Sequence, residues 1–317
     1  MLRILLVLAA SAVLAGLPGC DFDELPDERI TLALDFQPNA VHAGIYAALR
    51  EDLDADAMLD LEVRVPSSST DSLKLLEAHR ADIAVVDIHD LGLARERGAD
   101  LVGVAALVQR PLAAVIASPD VRRPRDLEGR RVGVTGLPSD EALLRAVVEH
   151  DGGDFDRVEL VTIGFSAVPS MVAGRVDAVV SFWNAEGVAL RERGVPTREF
   201  RVDEYGAPGY PELVLVVRRE SLHQIGEQLA SLTWVLARGT RAALGDRDAT
   251  VEDLVEASGG DEALVRAQLE AVAPALHASL RLDPQALRQW ARFDARFGIL
   301  ERPPRLREAF RVRFLEP

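Results

Sequence analysis

The chain has 317 residues, with 51 acidic against 36 basic side chains, a formal charge of −15 at pH 7 and 48% hydrophobic residues. That balance excludes nucleic acid or an anionic bilayer surface as a partner, because both need basic patches. One cysteine, Cys20, rules out internal disulfides, so a packed core must carry stability, and the length suffices for two lobes.

Residues 1–19 read as a secretory leader, with Arg3 as the positive start and Ile4 to Leu17 as an apolar run too short to span comfortably. Leu17-Pro18-Gly19-Cys20 resembles a bacterial lipobox and makes Cys20 the lipidation site. A diacylglyceryl thiol carries at least two acyl chains, which anchor stably where one binds only marginally. Loss of the leader removes Arg3 and takes the charge from −15 to −16. Residues 20–28, acidic and Pro-containing, suit a tether, and the mature chain is expected at the extracytoplasmic face of a bacterial cell membrane.

The first strand, Ile30 to Leu34, runs into Asp35-Phe36-Gln37-Pro38-Asn39-Ala40-Val41-His42-Ala43-Gly44-Ile45-Tyr46. Pro38 disfavours helix at Gln37, Asn39 suits an N-cap, and Val41, Ile45, Ala48 and Leu49 repeat at helical spacing. His42 and Tyr46 share a helical face. Phe36, Asn39, His42 and Tyr46 thus gather a ring, an amide, an imidazole and a phenol round a helix start with free N–H groups. Singly, each is more often a core or surface residue; the cluster is what points to a ligand.

Strands at 61–65, 83–86 and 101–108 then alternate with helices near 72–79 and 91–97, the pattern of an α/β domain with a mostly parallel sheet. Ligands sit at the carboxyl ends of such strands, where Asp35–Asn39 and Asp87–Asp90 both fall. Asp87 and His89 are candidates for contact with an organic ligand. A metal site at Asp87, His89 and Asp90 with His42 is not expected, because no second His stands at a fixed short spacing and Asp90 suits a helix cap.

A break at Pro119–Pro124 precedes Asp126-Leu127-Glu128-Gly129-Arg130-Arg131-Val132-Gly133-Val134. Ser139 then either caps the next helix or offers its hydroxyl to a ligand. After a strand at 158–163 and a helix at 167–173, strand Ala178–Val180 leads into Ser181-Phe182-Trp183-Asn184-Ala185-Glu186-Gly187. A Trp beside an amide and a carboxylate suits a flat nitrogen heterocycle: Trp183 would stack, while Asn184 and Glu186 would bond ring nitrogens and an exocyclic amine. The alternative for Glu186 is a helix cap. Tyr210-Pro211-Glu212-Leu213 opens a strand to Val217, and 222–245, 250–273 and 284–297 read as helices with Trp234, Trp290, Phe293 and Phe297 in the core.

Four of these stretches (Asp35 to Tyr46, Asp126 to Val134, Phe182 to Gly187 and Tyr210 to Leu213) together resemble the substrate-binding proteins that feed thiamine-pyrimidine precursors to ABC transporters, relatives of the eukaryotic pyrimidine-precursor synthase. The resemblance implies an α/β type II periplasmic-binding-protein fold whose two lobes, each a mostly parallel sheet flanked by helices, close about a two-strand hinge. Residues 29–114 with 214–317 would form one lobe and 115–213 the other. It implies ligand contacts at Phe36, Asn39, His42, Tyr46, Trp183, Asn184, Glu186, Tyr210 and Glu212, an ABC permease as partner, no cofactor and a monomer. An aminopyrimidine is the first expected ligand, then riboflavin, other heterocycles, and sulfonates or taurine. The rival is the synthase, whose family uses a lysine for pyridoxal phosphate and a Cys/His-rich motif for iron. Here Lys74 is the sole lysine, on a helix expected to be exposed, and Cys20 is the sole cysteine.

Overall fold

The computed structural model describes residues 28–66 and 71–311. The expected leader, Cys20 and all but the last residue of the tether lie outside the described residues, as does the polar loop at 67–70.

The chain opens with β1 (Glu28–Ala33), whose apolar Ile30 and Leu32 are buried, then a short turn Ala40–His42 and helix α1 (Ala43–Arg50). Next come α2 (Leu53–Asp56), β2 (Leu59–Arg64), α3 (Asp71–Glu77), β3 (Ile83–Asp87), α4 (Ile88–Glu96) and β4 (Leu101–Val108). Every residue of β4 is buried, as a near-continuous apolar run covered on both faces requires. The chain then crosses to β5 (Ala113–Ala117), followed by β6 (Arg131–Val134), α5 (Pro138–His150), β7 (Glu159–Thr162), α6 (Ala167–Val172), β8 (Ala178–Phe182), α7 (Val188–Glu192) and β9 (Arg198–Arg201). It returns in β10 (Leu213–Arg218) and ends in α8 (Gly226–Gly245), α9 (Arg247–Ser258), α10 (Glu262–Val272), α11 (Pro284–Arg296) and α12 (Leu306–Ala309).

Two five-stranded sheets result, in the orders β2-β1-β3-β10-β4 and β7-β6-β8-β5-β9. β1 runs parallel to β2 and β3, β6 parallel to β7 and β8, while β10 and β5 run antiparallel to their neighbours. β5 pairs along its whole length in the second sheet, so the first crossing falls at residues 109–112, ahead of the expected boundary at 114/115. The second crossing is the stretch before Leu213.

Helix α8 lies on α1 with glycine at the crossing on each side: a Cβ on Gly239 would come within 2.0 Å of the Gly44 carbonyl oxygen. The expected single helix over 250–273 is two, α9 and α10. Gly259, in the left-handed region at φ 66°, ends the first, and the Asp261 side chain caps the second by accepting from Leu264 N. Trp290 and Phe293 are buried as expected, but Trp234 is 44% exposed, with the Arg238 guanidinium over its ring.

Candidate functional site

The carboxyl ends of β1 and β3 face those of β6 and β8, where the strand order reverses in each sheet. A cavity of about 410 Å³ lies there. The first sheet's loops supply Asp35, Phe36, Asn39, Asp87, His89 and Asp90, and the second's supply Thr135, Ser139, Asp140, Phe165, Phe182, Asn184 and Glu186. Glu212 enters from the return crossing and Gln268 from α10. Of the twelve residues expected at a ligand, Phe36, Asn39, Asp87, His89, Ser139, Asn184, Glu186 and Glu212 line this cavity, whereas His42, Tyr46, Trp183 and Tyr210 do not.

His42 is wholly buried with both ring nitrogens engaged: Nδ1 accepts from Asn39 N at 3.2 Å, and Nε2 donates to Asp35 Oδ1 at 2.7 Å. It holds the loop and aims Asp35, and it is not among the residues lining the cavity. Asn39 is the expected cap, its Oδ1 accepting from Val41 N at 3.1 Å while Nδ2 donates to Gln37 O at 2.9 Å. Tyr46, half-buried on α1, packs against the first sheet's core, and burial raises its phenol above the ordinary value.

Trp183, expected as a stacking platform, does not line the cavity. It is 3% exposed, its Nε1 donates to Pro111 O at 3.0 Å, and the Arg201 guanidinium lies over its ring with Cζ 4.1 Å from the centroid. The indole thus joins the first crossing to the second lobe. The rings that do line the cavity are Phe36, Phe165 and Phe182. Phe36 and Phe165 come from opposite lobes, are both exposed, and stand with centroids 6.0 Å apart.

Beneath the floor lies a buried polar chain. His89 Nδ1 donates to Asp294 Oδ2 on α11 at 2.9 Å, and Nε2 lies 3.1 Å from the Tyr210 hydroxyl. Trp290 Nε1 lies 3.3 Å from the same Nδ1. Burial works against the imidazolium, but Asp294, helped by Asp87 and Glu212, outweighs it and pushes His89 up to about 10. The charged ring therefore has both N–H groups committed. Tyr210, fully buried, is raised well above the ordinary phenol by burial and then by the surrounding carboxylates. Glu212 takes Leu112 N at 2.5 Å, tying the two crossings together. Burial, then the charge of Asp87, lifts Glu212 to about 8.

Helix starts around the cavity are closed by side chains. Asp87, not Asp90, caps α4, its Oδ1 accepting from His89 N at 2.7 Å. Burial and Asp87 raise Asp90 to about 7. Ser139 is not the cap of α5, which begins at Pro138; instead Asp140 accepts from Thr135 N at 2.6 Å and from the Thr135 hydroxyl at 2.5 Å. Glu186 lines the cavity, and its Oε2 accepts from Phe182 N at 3.1 Å; it does not cap α7, whose start carries no side-chain cap. Asn184, 2% exposed, has no hydrogen-bond partner for Oδ1 among the described residues. Sequence reasoning missed Asp140 and Phe165 although both follow the carboxyl ends of second-sheet strands, the signal that selected Asp87. Gln268 carried no signal, since only the packing of α10 across the gap brings it in, with Nε2 donating to Ala185 O at 3.4 Å.

The family described as NMT1/THI5 like matches residues 39–267. The formylaminopyrimidine-binding protein of Halalkalibacterium halodurans is 36% identical over 233 residues, covering 73% of this chain and 68% of that protein. The 4-amino-5-hydroxymethyl-2-methylpyrimidine phosphate synthase THI5 of Saccharomyces cerevisiae is 22% identical over 69% of this chain and 68% of its own. Among solved structures, the periplasmic aliphatic sulphonate binding protein SsuA from Escherichia coli superposes with a TM-score of 0.74 at 15% identity, over 89% of this chain and 96% of that one.

Proposed function

The chain belongs to the NMT1/THI5-like family and has the two-lobed periplasmic binding protein fold, and from that premise we propose that it is the extracytoplasmic solute-binding component of an ABC importer. It captures one aminopyrimidine thiamine precursor between its lobes, hands it to the permease, and is held at the membrane by lipid on Cys20. The observation that carries this reading is a cavity of about 410 Å³, fed by both lobes, combining aromatic rings with hydrogen-bond acceptors. That size and mixture suit a small heterocycle. Phe36 and Phe165 offer their faces to the ring, while Asn184 Oδ1 and the carboxylates of Glu186 and Asp35 accept from amino groups.

Binding without conversion is supported by the position of Lys74. It is exposed, bonded to Asp71 Oδ1 at 2.9 Å, and is not among the residues lining the cavity. A Schiff base needs its amine at the substrate. The test is a thermal-shift and calorimetric screen of aminopyrimidines, flavins, sulfonates and amines against the purified protein. An aminopyrimidine should raise the melting temperature by mass action and be recovered unchanged. Failure of every aminopyrimidine, or its conversion to product, refutes the proposal.

A further inference from the structure

Six carboxyl-bearing side chains line the cavity, namely Asp35, Asp87, Asp90, Asp140, Glu186 and Glu212, and among the described residues no lysine or arginine does. Backbone donors there are already taken from within: Asp87 holds His89 N, Asp140 holds Thr135 N, and Glu186 holds Phe182 N. Free N–H groups of this kind at helix starts and loops are where a phosphate or sulfonate would otherwise seat. The one cation of the lining, His89, is 1% exposed and spends both ring N–H groups on Asp294 and Tyr210. The buried Asn184 Oδ1, unpartnered among the described residues, is a further acceptor waiting for a donor.

Resting on the solute-binding reading above, we infer that the cleft sorts ligands by charge, admitting neutral or cationic rings that bear N–H donors and excluding their phosphate and sulfonate counterparts. Asp87 from the first lobe and Asp140 and Glu186 from the second are the excluding residues. Both lobes bring acceptors to the same space, so closing them on an anion sets like charges together in a water-poor site, whereas an amine or amidine bonds across the gap.

The experiment is calorimetric titration of two matched pairs at one ionic strength. The first pair is 4-amino-5-hydroxymethyl-2-methylpyrimidine and its phosphate monoester; the second is benzamidine and benzenesulfonate, which share a ring without the pyrimidine. The phosphate should bind at least about 100-fold more weakly than the alcohol, and benzenesulfonate more weakly than benzamidine by a similar factor. Asp140→Asn should shrink the alcohol-to-phosphate ratio at least about tenfold, chiefly by improving the phosphate. Equal or tighter binding of either anion overturns the inference and leaves the solute-binding reading standing. Benzamidine binding without either pyrimidine overturns the pyrimidine reading and leaves charge sorting standing. No binding by any of the four refutes both.

Discussion

Alanine at Trp183 and at Phe36 should fail in opposite ways. Trp183 is almost wholly buried, and its removal leaves a large void, an unpaired Pro111 carbonyl and the Arg201 guanidinium without its ring. Trp→Ala in such a place costs about 3–5 kcal/mol, a fall of roughly 6–15 °C in melting temperature for a chain of this size. Phe36 is 40% exposed at the cavity rim, so its loss should leave the melting temperature of the free protein nearly unchanged. It should instead forfeit stacking on the ligand ring, about 1–3 kcal/mol or roughly 5- to 150-fold in Kd. Differential scanning calorimetry of the free proteins and isothermal titration with the tightest aminopyrimidine separate the two effects. If Trp183→Ala keeps its melting temperature within about 2 °C while binding vanishes, the indole touches ligand and its assignment as a buried structural link is wrong.

Three further expectations follow from the interior. Asp294→Ala leaves the His89 imidazolium buried without its main partner and should cost about 3–5 kcal/mol in urea unfolding, with much of the loss recovered in Asp294→Ala/His89→Leu; a loss under about 1 kcal/mol contradicts the pairing. Glu212 is raised from 4.5 to about 8 and His89 from 6.5 to about 10. Both hold extra protons in the folded state, so their stability contribution is complete at low pH and is lost as pH climbs through those folded values. Melting temperature should therefore decline from about pH 5 toward pH 9, and Glu212→Gln should flatten the part of that decline below about pH 8; a rise over this range is the contrary result. Gly239→Ala would drive a methyl into the Gly44 carbonyl, and about 1–3 kcal/mol of lost stability in urea unfolding is expected, with no loss indicating that α8 simply slides.

What could be read from the sequence was whatever depends on local pattern. Strand–helix alternation conveys two sheets, and the strand-end rule conveys that Phe36, Asn39, Asp87 and Glu186 approach one space. Orientation was beyond reach. Trp183 sits one residue from Asn184 and shares its motif, yet the indole turns away because Pro111, 72 residues distant, accepts its N–H. Spacing groups His42 with its neighbours because it reports a helical face, whereas Asp35 and the Asn39 amide consume both its nitrogens. Ser139 reads as a cap because a hydroxyl suits that place, while the carboxylate one position later reaches back to Thr135. Such choices are made by tertiary partners, which no window of neighbours contains.

Helix α10 touches both halves of the molecule: it packs on the Ala40–His42 turn on one side and on residues 183–192 on the other. The recognisable family stretch stops at residue 267, one position before Gln268. A version of the gene cut off after residue 267 would keep the strands of both sheets in sequence but saw through the strut, leaving the container open along one wall. The tail that looks like packaging is part of the vessel.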